Sequence, residues 1–168
     1  MVGEHERGGR AQIIRGDVNT ELARVMNSIN RRSPTFVFLD PEGIDPAWAT
    51  IQSLALWQTE LLINFPLGMA INRNARTPKA EAYFGTPEYL KHWEAGRLSR
   101  TSGLIAFYLQ QLAELGWDEQ PNHSRLVKTQ DNKHLYYLLH ASKHLAAKRI
   151  MDWAFGQPDS AGQGRMPL

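Results

Sequence analysis

Thr35-Phe36-Val37-Phe38-Leu39, followed by Asp40-Pro41-Glu42-Gly43 and, after a helical stretch, Leu61-Leu62-Ile63-Asn64-Phe65-Pro66, is the part of the chain that decides the fold. The first run is apolar at every position but one, the pattern of a strand covered on both faces in a parallel sheet. Asp45-Pro46 reads as a cap plus the first residue of a helix. Trp48, Ile51, Leu54 and Ala55 then share one helical face. The second apolar run stops at Pro66. Two buried strands joined through a helix make a right-handed β-α-β unit.

Upstream, Gln12-Ile13-Ile14 is a short β-branched run closed by Gly16-Asp17-Val18-Asn19. Leu22, Val25, Met26 and Ile29 follow at i, i+3, i+4, i+7, one helical stripe with Asn19 as N-cap and Glu21 in the first turn. Arg31-Arg32-Ser33-Pro34 ends it. Downstream, 67–101 reads as an inserted helical connection above the sheet, outside the core, with Thr77-Pro78 and Thr86-Pro87 as helix starts. A longer amphipathic helix over 103–115 stops at Gly116. Arg125–Lys128 and Leu135–Ala141 flank Asp131-Asn132-Lys133 as a β-hairpin, and a last helix runs over 143–155. Residues 1–10 read as a flexible N-terminus, 11–155 as one domain and 156–168 as a disordered Gly/Gln/Pro/Ser-rich tail. Crossovers ending in a hairpin predict an α/β fold, a partial Rossmann-like methyltransferase sheet whose parallel strands end in an antiparallel hairpin.

The 168 residues suit one domain. The absence of cysteine excludes disulfides, iron–sulfur clusters and cysteine-ligated zinc. No apolar run approaches the roughly 20 residues that span a bilayer, and Met1–Arg7 lacks a signal peptide's apolar stretch, so the expectation is a cytoplasmic protein with no membrane partner. A formal charge of +2 says little by itself. Its distribution says more: 125–149 carry a local +5 and 73–100 a local +3. On one face these could follow the phosphates of a nucleic acid, with Tyr83, Tyr89 or Trp93 for stacking; a solvated helix and hairpin surface is the alternative. His140 and His144 are four apart but straddle a strand-to-helix junction, so no metal site is expected. Trp48, Trp93, Trp117 and Trp153 read as core or lid packing.

Three strand ends hold the candidate chemistry. Asp40-Pro41-Glu42-Gly43 lies where open α/β sheets build ligand sites. A carboxylate there can accept a hydrogen bond from an amino group while Pro41 stiffens the loop. This resembles the Asp-Pro-Pro-Tyr loop of amino-group methyltransferases, in which a polar side chain and a proline carbonyl hold the nucleophilic nitrogen. The plainer reading, which the tetrapeptide alone favours, is an Asp-Pro turn with a positive φ at Gly43. Asp17 stands where methyltransferases often place an acid near the adenine of S-adenosylmethionine, or caps a helix. Asn64 could bond a substrate, or satisfy backbone groups at a strand end.

As an ordered series, Gly16–Asn19, Phe36–Asp45, Trp48, Leu61–Pro66, Asn72-Arg73-Asn74, Phe84-Gly85 with Trp93, and Tyr136–His144 resemble the three-Cys-motif partner protein family over roughly residues 12–155. The resemblance implies a Rossmann-like methyltransferase fold in bacterial or archaeal proteins and a companion protein with a three-cysteine motif; it implies no established activity. Two departures stand out. Glu42 replaces the family's usual aromatic, and nothing here matches its Phe-Ala-Gly-Pro-Gly segment. Seating S-adenosylmethionine needs a glycine turn after a strand, and neither Gly8-Gly9 nor Gly162-Gln163-Gly164 provides one. The chain therefore reads as the carboxyl-terminal part of the family domain, able to bind that cofactor only with an upstream segment. In the usual strand order 3-2-1-4-5-7-6 its Gln12–Ile14 strand is orphaned and the Phe36 strand becomes an open edge. Two functions follow. One is an interaction module that binds the companion protein or nucleic acid. The other is a full-length methyltransferase acting on nucleic acid, with Asp40, Pro41 and Asn64 at the nucleophile, Asp17 at adenine, and Arg73 and Asn72 on the substrate.

Overall fold

The computed structural model describes residues 11–41, 43–66, 69–96, 99–117, 123–129 and 131–156. Expectations for 1–10 and 157–168 lie outside these residues. β1 (Thr35–Leu39) pairs in parallel with β2 (Thr59–Pro66), Val37 opposite Leu61. β2 pairs antiparallel with β4 (His134–Ala141), Ile63 opposite Leu139, and β4 pairs antiparallel with β3 (His123–Lys128). The result is a mixed α/β fold with an open four-stranded sheet of order β1-β2-β4-β3.

Seven helices accompany it among the described residues: α1 (Val18–Asn27), α2 (Trp48–Leu54), α3 (Met69–Asn74), α4 (Pro78–Phe84), α5 (Tyr89–Glu94), α6 (Arg100–Glu114) and α7 (Leu145–Gly156). Period-two alternation sends Leu61, Ile63 and Phe65 of β2 to one sheet face with Leu139 and Ala141 of β4, all at most 1% exposed. Trp48, Ile51 and Leu54 of α2 and Leu104, Tyr108 and Leu112 of α6 are buried with them in one core. Each buried Leu, Ile or Phe among them contributes about 1.5–3 kcal/mol by leaving water.

Several expectations need correction. Residues 11–17 form no strand, and Ile13 is 74% exposed. A three-residue run with no neighbouring strand has no ladder to satisfy its amides. β1 is not covered on both faces: Phe36 and Phe38 are 61% and 52% exposed, because among the described residues α7 reaches only the β3–β4 side of that face. The connection over 67–101 is core, not an addition above it. Ala80, Tyr83, Phe84 and Tyr89 are buried, and the rings of Tyr83 and Phe84 lie 6.0 and 6.4 Å from that of Phe65. Trp153, expected to pack, is 68% exposed on α7.

Helix starts also differ. Asp17 is the N-cap of α1, its carboxylate accepting from the Asn19 amide at 2.8 Å. That releases Asn19, whose Oδ1 instead accepts from the Ala47 amide (2.8 Å) and the Thr50 hydroxyl (2.7 Å), fixing the start of α2 against α1. Asp45-Pro46, a cis peptide, therefore precedes α2 and does not cap it. Thr77-Pro78 does open α4, whereas α5 starts at Tyr89, two residues beyond Pro87.

Candidate functional site

The parallel register brings the carboxyl ends of β1 and β2 level, with Leu39 opposite Ile63. The next residue on each strand therefore reaches its neighbour, and Asn64 Nδ2 donates to Asp40 Oδ1 at 2.5 Å. Among the described residues neither side chain has another partner. One carboxylate oxygen of Asp40 and the amide oxygen of Asn64 remain as acceptors.

Asp40 and Pro41 line a cleft of 280 Å³ together with Val18, Phe38, Leu39, Asp45 and Pro46. Its wall is apolar and its polar groups are acidic. Asp45 is neutralised by Lys79 Nζ at 2.8 Å across the α2–α4 side, a partly exposed pair of small energetic weight. Such a cleft suits a hydrogen-bond donor, such as an amino, amide or guanidinium group, on a flat apolar body. Phosphate is a poor fit beside Asp40. Gly43 does not have the positive φ of the turn reading, and a Cβ there would meet open space.

The structure brings Asp40, Pro41 and Asn64 together. Asp17 is engaged in capping, though its neighbour Val18 reaches the cleft wall. Arg73 is exposed in the last turn of α3, and the side chain of Asn72 lies outside the described residues. Sequence reading missed Phe38, Asp45 and Pro46 as lining residues. Asp45 is signalled in the sequence as a third acidic position within six residues of Asp40, although Asp45-Pro46 also reads as a helix cap.

The basic segments turn out to be largely occupied. Arg76 pairs with Glu94 at 3.1 Å and Lys91 with Glu88 at 3.3 Å. Tyr83 and Tyr89 are buried, so neither can stack on a base. Trp93 offers one face to Arg100, whose guanidinium carbon sits 3.8 Å from the ring centroid. In the second segment Lys143 turns inward. Its Nζ donates to the carbonyls of Ala55 (2.6 Å) and Trp57 (3.0 Å) over the Trp117 ring. Burial holds its ammonium below the ordinary lysine range, with Glu60 opposing that effect. Arg125 donates to the Ala154 carbonyl of α7, and Lys128 to Asn132.

His140 is buried on β4 with Nε2 3.6 Å from Glu60, while His144 is exposed beyond the strand. The described residues contain no cluster of three or more metal-ligating side chains. Nor does any described helix have the length and apolar character to cross a membrane. Comparison of the chain with protein-family models, curated proteins and solved structures gives no match in any of the three.

Proposed function

We propose that the chain is an interaction module built on the back half of a methyltransferase-like sheet, in the manner of the three-Cys-motif partner proteins. Its Asp40–Asn64 end receives a donor group of the bound partner. The observation that carries this reading is the 2.5 Å Asn64–Asp40 bond at the carboxyl ends of two adjacent parallel strands, above an acidic, apolar-walled cleft. The bond aims the Asp40 carboxylate and leaves its second oxygen as an acceptor. The order β1-β2-β4-β3 supports the fold part of the proposal, since it is the order of strands 4-5-7-6 in that sheet.

The catalytic reading uses the same acceptors to hold an amino nucleophile and additionally needs a seat for S-adenosylmethionine. The described glycines with positive φ, Gly85, Gly96 and Gly116, all follow helical segments, and none follows a strand. Titration calorimetry of this chain with S-adenosylmethionine separates the two. The module gives no heat; a micromolar dissociation constant overturns it. Thermal unfolding with arginine amide as a donor probe tests the cleft itself. The midpoint rises for the natural chain and stays fixed for Asp40→Asn. An equal rise in both sinks the acceptor role.

A further inference from the structure

β1 is an edge strand whose outer side has no pairing partner among the described residues. Edges of natural sheets are usually blunted by a charge, a proline or a bulge. Thr35–Leu39 has none of these, and it sets two phenylalanines into solvent on one face. Residues 11–17 form no strand that could lie there.

We propose that this edge pairs with the same edge of a second copy of the chain, antiparallel about a two-fold axis through Val37, making one eight-stranded sheet. Three features fit this occupant. A two-fold centre at Val37 sets Phe36 opposite Phe38 of the second copy, and Phe38 opposite its Phe36. All four rings then lie on one face as directly opposed cross-strand pairs, an arrangement that stabilises paired strands. The strand ends are oppositely charged. Arg31 and Arg32 precede β1, and Asp40 and, in sequence, Glu42 follow it. Antiparallel pairing therefore sets basic end against acidic end, whereas a parallel copy would oppose like charges. Finally, a closed two-fold contact leaves no free β1 edge, so this contact adds no third copy.

The Arg32 side chain has no partner among the described residues, and Arg31 rests over the Trp57 ring at 5.0 Å, so the basic end is presented without rearrangement of the core. The interface is short, and a dissociation constant in the micromolar range, about 1–100 µM, is expected.

Sedimentation velocity of the full chain over a concentration series checks the assembly. A species of twice the 19.1 kDa chain mass must gain weight as concentration rises. Phe36→Lys, an exposed change away from the Asp40 cleft, shifts the equilibrium at least tenfold toward monomer with an unchanged far-ultraviolet spectrum. Arg32→Glu weakens it several-fold. Because the chain has no cysteine, mild oxidation of a mixture of Phe36→Cys and tagged Phe38→Cys chains reads the register: the mixed disulfide dominates over either self-linked product. A chain that stays monomeric at about 100 µM overturns the proposal. So does a dimer indifferent to Phe36→Lys, and so do self-linked products alone.

Discussion

On one face of the sheet Leu61, Ile63 and Phe65 are sealed beneath α2, α4 and α6; on the other, Phe36 and Phe38 stand in water one strand away. All five are large apolar residues. What differs is the supply of helices: α2 and α6 run over the first face, and among the described residues α7 alone reaches the second, at its β3–β4 side. The contrast teaches that apolar character in a strand reports what the strand can bury and leaves open whether its own chain does the burying. The acidic cleft lies at the margin between the two regimes, with Phe38 forming part of its wall.

The largest expected effect breaks this contrast directly. Phe65→Ala removes a ring that touches Tyr83, Phe84 and Tyr108 at centroid distances of 6.0, 6.4 and 5.4 Å. It should cost about 3–5 kcal/mol in urea unfolding, the usual loss when a buried aromatic leaves a cavity. Phe36→Ala, measured on the dilute, dissociated chain, should stay within about 0.5 kcal/mol of the natural protein. Equal costs would mean that the open face is covered by something within a single chain.

Much of the sealed side was legible in the sequence. The runs at Phe36–Leu39 and Leu61–Phe65 mark their strands, the i, i+4 spacing of Leu104, Tyr108 and Leu112 marks α6, and Asp131-Asn132-Lys133 marks the hairpin turn, where Asn132 takes φ 60°. The readings that failed depended on contacts distant in sequence. Whether Phe36 is covered depends on which helices lie above it. Whether Tyr83 is core depends on Phe65 and Tyr108, eighteen and twenty-five positions away. Asn19 looked like a local cap, yet it bonds Ala47 and Thr50 across a tertiary gap. The Asp40–Asn64 pair was half legible: both residues were nameable as strand ends, but only the parallel register sets them side by side.

A middle-sized effect sharpens the sealed side at its tightest point. Gly85 ends α4 in the left-handed region at φ 74°, its amide bonding the Glu81 carbonyl at 2.7 Å. A Cβ there would run into the Trp48 side chain, which is itself 6% exposed and packed edge-on to Tyr108 at 5.2 Å. Gly85→Ala combines a backbone penalty of about 1 kcal/mol with overpacking of about 1–3 kcal/mol. Thermal unfolding should show the loss. Gly43→Ala, where a Cβ meets nothing and φ is not positive, should be nearly silent.

The smallest effect concerns hydroxyls within the sealed core. Tyr89 is buried and donates to the Ala75 carbonyl at 2.8 Å, but Tyr83 and Tyr108, stacked at 5.4 Å, keep buried hydroxyls with no hydrogen-bond partner among the described residues. Burial raises both phenols well above the ordinary 10.0; for Tyr83 the nearby Tyr108 and Asp45 add to it, whereas for Tyr108 the Tyr83 hydroxyl opposes it. Above pH 10.0 the unfolded chain loses these protons while the folded chain keeps them, so the stability held below that pH falls as pH rises toward the folded values. Alkaline titration followed by tyrosinate absorbance should therefore show two tyrosines that ionise only as the core unfolds. Tyr83→Phe removes one of them. It also deletes an unsatisfied polar atom, so its stability at neutral pH should be unchanged or higher by up to about 1 kcal/mol. A clear loss at neutral pH would mean that the Tyr83 hydroxyl has a bonding partner, either the neighbouring Tyr108 hydroxyl or a buried water.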